Sequence, residues 1–304
     1  MPIDAQAQKL LDLMAESGAP PLTEMSVQDA RGLPAVLSQL TGQGPDVASV
    51  RDTEIPGPAG PIGARVYEPV ADPAVTVVYY HGGGWVIGGL DDWDAAVRLL
   101  AVESGARVVS VDYRLAPEHR FPAAVDDAYA AAAWVAAELA GGSPIVVAGD
   151  SAGGNLAAVT ALRARDRGGP QIALQVLIYP VTDSDTTTEH YAKYRDTHFI
   201  LNAPDVEWFW DHYAPDAVDR THPDAAPLRA QSLAGLPPAY LLVAGNDPLQ
   251  AEGIAYAKRL EDEGVAVQLV RYDDQIHAFF TLPNLLEAGN RAIAEAAAAI
   301  KAAG

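Results

Sequence analysis

Residues Pro144–Arg165 read PIVVAGDSAGGNLAAVTALRAR. An apolar run, PIVVA, leads into Gly149-Asp150-Ser151-Ala152-Gly153 and then into a stretch of helical periodicity. A buried strand, a sharp turn and a helix, in that order, are what the G-x-S-x-G pattern needs in order to expose its serine. The two glycines flanking Ser151 sit where strand and helix approach closely and a β-carbon would collide. The helix N-terminus beyond the turn favours negative charge. The plainer reading is an ordinary strand-to-helix turn rich in small residues.

Working outward, the chain predicts eight strands: Ser49–Ile55, Ile62–Glu68, Val75–Tyr80, Arg107–Tyr113, Pro144–Ala148, Ala173–Ile178, Tyr240–Ala244 and Ala266–Tyr272. The first two flank PGPAGP, a turn-rich hairpin segment. The later ones are continuous apolar runs (TVVYY, LQVLIY, YLLVAG), as expected of parallel strands buried on both faces. Helical patterns near 91–103, 122–140, 152–167, 250–263 and 285–302 alternate with them, which predicts one doubly wound α/β sheet. Before the sheet, residues 3–16 and 26–40 predict two helices, with leucines at near-helical spacing. Residues 183–235 break the rhythm with a long polar and aromatic insertion holding four of the seven histidines and the run Trp208-Phe209-Trp210. A structureless loop of that length is improbable in a compact domain, so a helical excursion capping the strand ends is expected.

The 304 residues are 49% hydrophobic and 20% charged, enough to bury a large core. Lysine and arginine number 20 against 40 acids, a net charge of −20. That field repels phosphate backbones and anionic headgroups, arguing against a nucleic-acid partner or a basic membrane anchor. With no cysteine, disulfides, thiolate nucleophiles and Cys-ligated zinc are excluded. The N-terminal stretch lacks the basic and apolar regions of a secretory signal, and no segment is long and apolar enough for a span, so the expected location is cytoplasmic.

His81-Gly82-Gly83-Gly84-Trp85 follows the strand TVVYY directly. Consecutive glycines there let backbone N–H groups turn inward, as acyl transfer needs where an oxyanion forms. The N–H groups of Gly82 and Gly83, with that of Ala152, are assigned to this oxyanion hole, and His81 to holding the loop by hydrogen bonding. A phosphate loop is the rival reading, but neither G-x-G-x-x-G nor G-K-[ST] is present. When the chain order is serine, acid, histidine, the base is nearly forced, because His277 is the only histidine beyond residue 222. Asp247, at the carboxyl end of the strand YLLVAG, is the expected acid. Asp273, Asp274 and Glu252 are the rivals, the first two disfavoured by lying on the local segment of His277.

HGGGW, YRLAPEHRFPAA (Tyr113–Ala124), GDSAGGN (Gly149–Asn155), LPPAYLLVAGNDPL (Leu236–Leu249) and IHAFF (Ile276–Phe280) together resemble the hormone-sensitive-lipase-like carboxylesterases, the bacterial family IV esterases. The resemblance runs from about Val47 to the C-terminus. It implies an α/β-hydrolase fold with an eight-stranded, mostly parallel sheet flanked by helices. Residues 1–45 would be N-terminal cap helices, and 46–304 a catalytic domain carrying the cap insertion at about 183–235. The family's nucleophile, acid and base map to Ser151, Asp247 and His277, and its oxyanion glycines to Gly82 and Gly83. The implied function is hydrolysis of short to medium acyl esters, without cofactor or metal, on a small-molecule substrate, with a homodimer through an edge strand. A non-catalytic hormone receptor on the same fold, and an amidase using the same triad, are the competing readings. The receptor is disfavoured because all three triad candidates are kept. Two departures from the family pattern, Gln250-Ala251 within Asp247–Gly253 and Ala278 after His277, remove none of these groups.

Weaker signals remain. Asp91, Asp92, Asp94, Asp183 and Asp185 are expected to be solvated carboxylates rather than metal ligands, and His190, His198, His212 and His222 lack ligand spacing. Asp150 is read as structural. Trp85, Tyr191, Phe199, Trp208, Trp210 and Phe279 are read either as pocket lining or as the core of the cap.

Overall fold

The sheet is built on runs that can be buried on both faces. The computed structural model describes residues 2–197 and 199–304. Its eight strands are β1 (Ser49–Gly57), β2 (Gly60–Glu68), β3 (Thr76–Tyr80), β4 (Arg107–Asp112), β5 (Ile145–Asp150), β6 (Ile172–Ile178), β7 (Ala239–Asn246) and β8 (Val267–Ile276). They lie in the order β1-β2-β4-β3-β5-β6-β7-β8. β1 with β2 and β2 with β4 are antiparallel, and every later pair is parallel. All eight predicted strands are present, with boundaries shifted by a few residues.

Because side chains alternate along a strand, each central strand serves two cores. Val78, Tyr80 and Val147 face α5 (Ala123–Trp134), α6 (Ala152–Arg167) and α10 (Gln250–Asp262). Val77, Tyr79, Val146 and Ala148 face α1 (Ala5–Glu16), α4 (Asp94–Ser104) and α11 (Glu287–Lys301). From β3 the chain steps to β4 on one side and then to β5 on the other. The loops after β3 and β5 therefore open beside each other at the carboxyl edge, where α/β sheets form their crevices.

The predicted helix over 26–40 is two helices, α2 (Val27–Ala30) and α3 (Leu33–Thr41). Pro34, which lacks an N–H, stands at the start of α3 and interrupts a continuous ladder. Arg31, in the break, donates to the carbonyls of Val86 and Ala116 and to both carboxylate oxygens of Glu118, tying this segment to the loops after β3 and β4. α1 is anchored at its start: Asp4 caps the helix through the N–H groups of Gln6 and Ala7, and its own N–H donates to Asp274 O at 2.9 Å.

The insertion between β6 and β7 carries α7 (Glu189–Ala192), α8 (Ala203–Tyr213) and α9 (Ala217–Arg220). α8 begins with a capping box between Asn202 and Asp205. His198 lies outside the described residues. The two ends of the insertion are fastened to α6 by Asn155, whose buried side-chain amide donates to Val181 O at 3.0 Å and Ala225 O at 2.7 Å. Arg163, also on α6, is buried between Asp126 and Asp224. Of the carboxylates expected to be solvated, Asp91 and Asp94 join Asp52 around Arg65, and Asp183 meets Arg229.

Asn155→Ala leaves two buried carbonyls without a donor. Such losses cost about 1–3 kcal/mol each, so urea unfolding is expected to show a loss of about 3 kcal/mol. A loss below about 0.5 kcal/mol would mean that the insertion is held by its apolar contacts alone.

Candidate active site

Ser151 stands between β5 and α6 with φ 56° and ψ −119°, a conformation that costs a non-glycine residue free energy and persists only when its surroundings over-determine it. Those surroundings are close backbone contacts. A β-carbon on Gly149 would strike the Gly153 carbonyl, and one on Gly153 would strike that of Tyr80. Backbone bonds hold the turn itself: Ser151 N–H donates to Ile178 O at 2.8 Å, and Ser151 O accepts from Asn155 and Val181. The hydroxyl is thereby raised above the sheet edge.

Two other strand ends deliver its partners. His277 directly follows β8, and its Nε2 lies 3.0 Å from Ser151 Oγ. Asp247 directly follows β7, and its Oδ2 lies 2.6 Å from His277 Nδ1. An imidazole that donates Nδ1–H to this carboxylate leaves its Nε2 lone pair to accept from the serine hydroxyl. The other Asp247 oxygen accepts from Leu249 N–H at 2.8 Å, which fixes the carboxylate's rotation. All three side chains are buried, Asp247 completely. The rival acids point elsewhere. Asp273 pairs with Arg271, Asp274 Oδ1 lies 3.5 Å from Gln275 Nε2, and Glu252 accepts from the N–H groups of Thr182 and Asp183 and from Tyr191 Oη.

The loop after β3 requires one correction. Gly82 N–H donates to Asp150 Oδ1 at 3.1 Å, so it is already engaged behind the serine and does not face the hydroxyl. Gly83 and Gly84, the next two residues, line the cavity beside Ser151, both at positive φ. Gly84 has no room for a side chain, because its β-carbon would strike the Phe209 ring. With the Gly82 N–H engaged, Gly83 and Gly84 are the glycines of this loop that border the space beside Ser151. Ala152, the first residue of α6, has an N–H with no acceptor inside its helix.

Asp150 organises this loop from below. Its Oδ1 accepts from Tyr79 Oη at 2.8 Å and Trp93 Nε1 at 2.9 Å as well as from Gly82. Burial pushes its carboxyl up to about 6 against the pull of those donors. His81 stacks on Tyr113 at 4.4 Å between ring centroids, with its Nδ1 2.7 Å from Gly82 O. Burial depresses its imidazole to about 4, so it serves as a neutral brace.

Above the serine lies a cavity of about 660 Å³. Its inner wall includes Trp85, Val206, Phe209 and Trp210, and its outer wall is made by Leu13, Leu33, Leu37 and Leu40 of α1 and α3. Of the six aromatics named from sequence, Trp85 and Trp210 line this space, while Tyr191, Phe199, Trp208 and Phe279 do not. Phe209, between the two tryptophans of its run, does line it. Among the described residues no group of three or more histidine, aspartate or glutamate side chains converges to hold a metal, and no helix is long and apolar enough to cross a membrane.

Residues 77–281 match a family model described as the alpha/beta hydrolase fold. The chain is also 46% identical over 261 residues to the esterase LipI of Mycobacterium tuberculosis, covering 80% of each protein. The chain belongs to the hormone-sensitive-lipase-like family of α/β hydrolases. A carboxylic ester hydrolase of the same bacterium, LipN, is 46% identical over 251 residues, 79% of this chain and 66% of that longer protein. The hyperthermophilic esterase of the archaeon Pyrobaculum calidifontis superposes with a TM-score of 0.93 at 43% identity, covering 99% of each chain.

In this family member Glu252 is buried, and burial pushes its carboxyl up to about 8. A carboxyl raised in the fold contributes stability that is full below its unfolded value of 4.5 and is lost as pH rises through about 8. Glu252→Gln keeps the acceptor for both N–H groups and removes the titration. Denaturant unfolding at pH 5, 6.5, 8 and 9 is expected to show the variant gaining on the parent steadily up to pH 8. A difference independent of pH would contradict the ionisation of a buried Glu252.

Proposed function

We propose that this protein is a serine carboxylic-ester hydrolase acting through Ser151, His277 and Asp247. The observation that carries the reading is the continuous relay from Asp247 Oδ2 to His277 Nδ1 at 2.6 Å and from His277 Nε2 to Ser151 Oγ at 3.0 Å. Ser151 Oγ attacks the ester carbonyl carbon while its proton passes to His277 Nε2, and the carbonyl π pair moves onto oxygen. That oxyanion is received by the N–H groups of Gly83, Gly84 and Ala152, each of which is worth about 3 kcal/mol by analogy with other acyl-transfer enzymes. Collapse expels the alkoxide, which takes the His277 proton and leaves as the alcohol. Water then repeats the sequence on the acyl-serine and releases the acid. Asp247 holds the imidazole tautomer and stabilises the imidazolium without taking its proton.

The apolar walls and limited volume of the cavity favour a neutral ester whose chain is short to medium. The esterase names of its relatives support the same chemistry. Among p-nitrophenyl esters from acetate to palmitate, turnover is expected to peak between butanoate and octanoate and to be poor for palmitate. Absence of turnover at every length would refute the esterase reading. Ser151→Ala is expected to lower kcat by at least about 10⁴-fold and Asp247→Asn by about 10⁴-fold. A fluorophosphonate adduct found by mass spectrometry on any residue other than Ser151 would overturn the nucleophile assignment.

A further inference from the structure

The loop that presents Asp247 is exposed to a specific set of contacts from the cap insertion. β7 ends in Gly245-Asn246, where the parallel ladder with β8 becomes irregular between Ala244 and Asn246, and Asp247-Pro248-Leu249 then leads into α10. Two carbonyls of this irregular stretch receive side-chain donors from one short segment of the insertion. His190 Nε2 lies 3.1 Å from Asp247 O, and Tyr194 Oη donates to Gly245 O at 3.2 Å. His190 lies on α7 and Tyr194 in the turn that closes it, where Tyr194 N–H donates to Tyr191 O at 3.0 Å, and their ring centroids are 5.2 Å apart, so one short segment supplies both donors. Between them Tyr191 points its hydroxyl to Glu252 on the first turn of α10, at 2.8 Å. Asp247 O also accepts from Gln250 N–H within its own turn, so the carbonyl uses both lone pairs. None of His190, Tyr191 and Tyr194 lines the cavity.

We infer that His190, Tyr191 and Tyr194 are positioning residues: they clamp the loop bearing Asp247, so that the cap insertion sets the alignment of the acid with His277. This rests on Asp247 being the acid of the triad, as proposed above. The clamp touches the acid's backbone, and the acid's Oδ2 fixes the imidazole. Releasing the clamp therefore loosens the relay while leaving the walls of the cavity in place. The loss should fall on kcat, because a group that orients the base matters most in the transition state, and KM should be nearly unchanged.

A double-mutant cycle tests this with p-nitrophenyl butanoate, using active-site titration to count folded enzyme. The pair His190→Ala and Tyr194→Phe is expected to lower kcat by about tenfold with KM within about twofold. In an Asp247→Asn background the same pair is expected to change the residual kcat by less than about twofold, because the group through which the clamp acts is gone. His190→Gln, which restores an N–H donor, should recover a large part of the loss. The single variants His190→Ala and Tyr194→Phe keep the cycle measurable if the pair folds poorly. Three results would overturn the inference: kcat unchanged in the pair, a rise in KM with kcat intact, or the full tenfold loss persisting in the Asp247→Asn background. If Asp247→Asn alone kept the parental kcat, the failure would lie in the acid assignment rather than in the clamp.

Discussion

The close approach of β5, α6 and the end of β3 around Ser151 is the constraint on which the rest depends. Gly149, Gly153 and the Tyr80 carbonyl leave no space for a β-carbon, and that closeness forces Ser151 to φ 56°. A serine in a relaxed turn would lie down along the sheet edge. Held upright, its hydroxyl comes within reach of an imidazole from β8, three strands away in the sheet. The strain is local and is borne by the two layers packed on β3 and β5, whose side chains are buried throughout.

The parallel strands were legible because burial on both faces leaves them as unbroken apolar runs, and Val75–Tyr80 or Tyr240–Ala244 admit few other readings. The convergence of Ser151, His277 and Asp247 was also legible, since chain order and the scarcity of histidines narrow the choice. The oxyanion loop was legible only in part. Three consecutive glycines do not reveal which amide turns inward, and the decision lies with Asp150, whose carboxylate takes the Gly82 N–H from behind. Likewise, the helical stretch expected over 26–40 runs through Gly32 and Pro34, and the break there is a backbone effect that hydrophobic spacing does not register. Trp208 and Trp210 flank Phe209 on one helix, so a choice among them depends on which face α8 turns to the sheet.

Electrostatics follow the same layering. Most surface acids are paired or solvated, whereas Asp150 and Glu252 are buried carboxyls surrounded by donors. Neither reaches Ser151 or His277. Each fastens loops that do: Asp150 the amide-bearing loop after β3, Glu252 the junction of β6, the insertion and α10. Burying such groups is expensive in free energy, and each is offset by three donors.

The outer wall of the cavity has a different origin from its floor. Its leucines come from α1 and α3, and α1 is moored by Asp4 to the carbonyl of Asp274, three residues before His277. The stretch that builds this outer wall supplies none of Ser151, His277 and Asp247, whereas the deeper lining, with Trp85, Leu249, Ala278 and Leu282, comes from the segments that carry those residues and the glycine loop. The outer wall and the Ser151–His277–Asp247 group are therefore encoded in separate parts of the chain. Substitutions confined to α1 and α3 can thus redraw the rim of the cavity without moving the hydrogen-bonded side chains at its base.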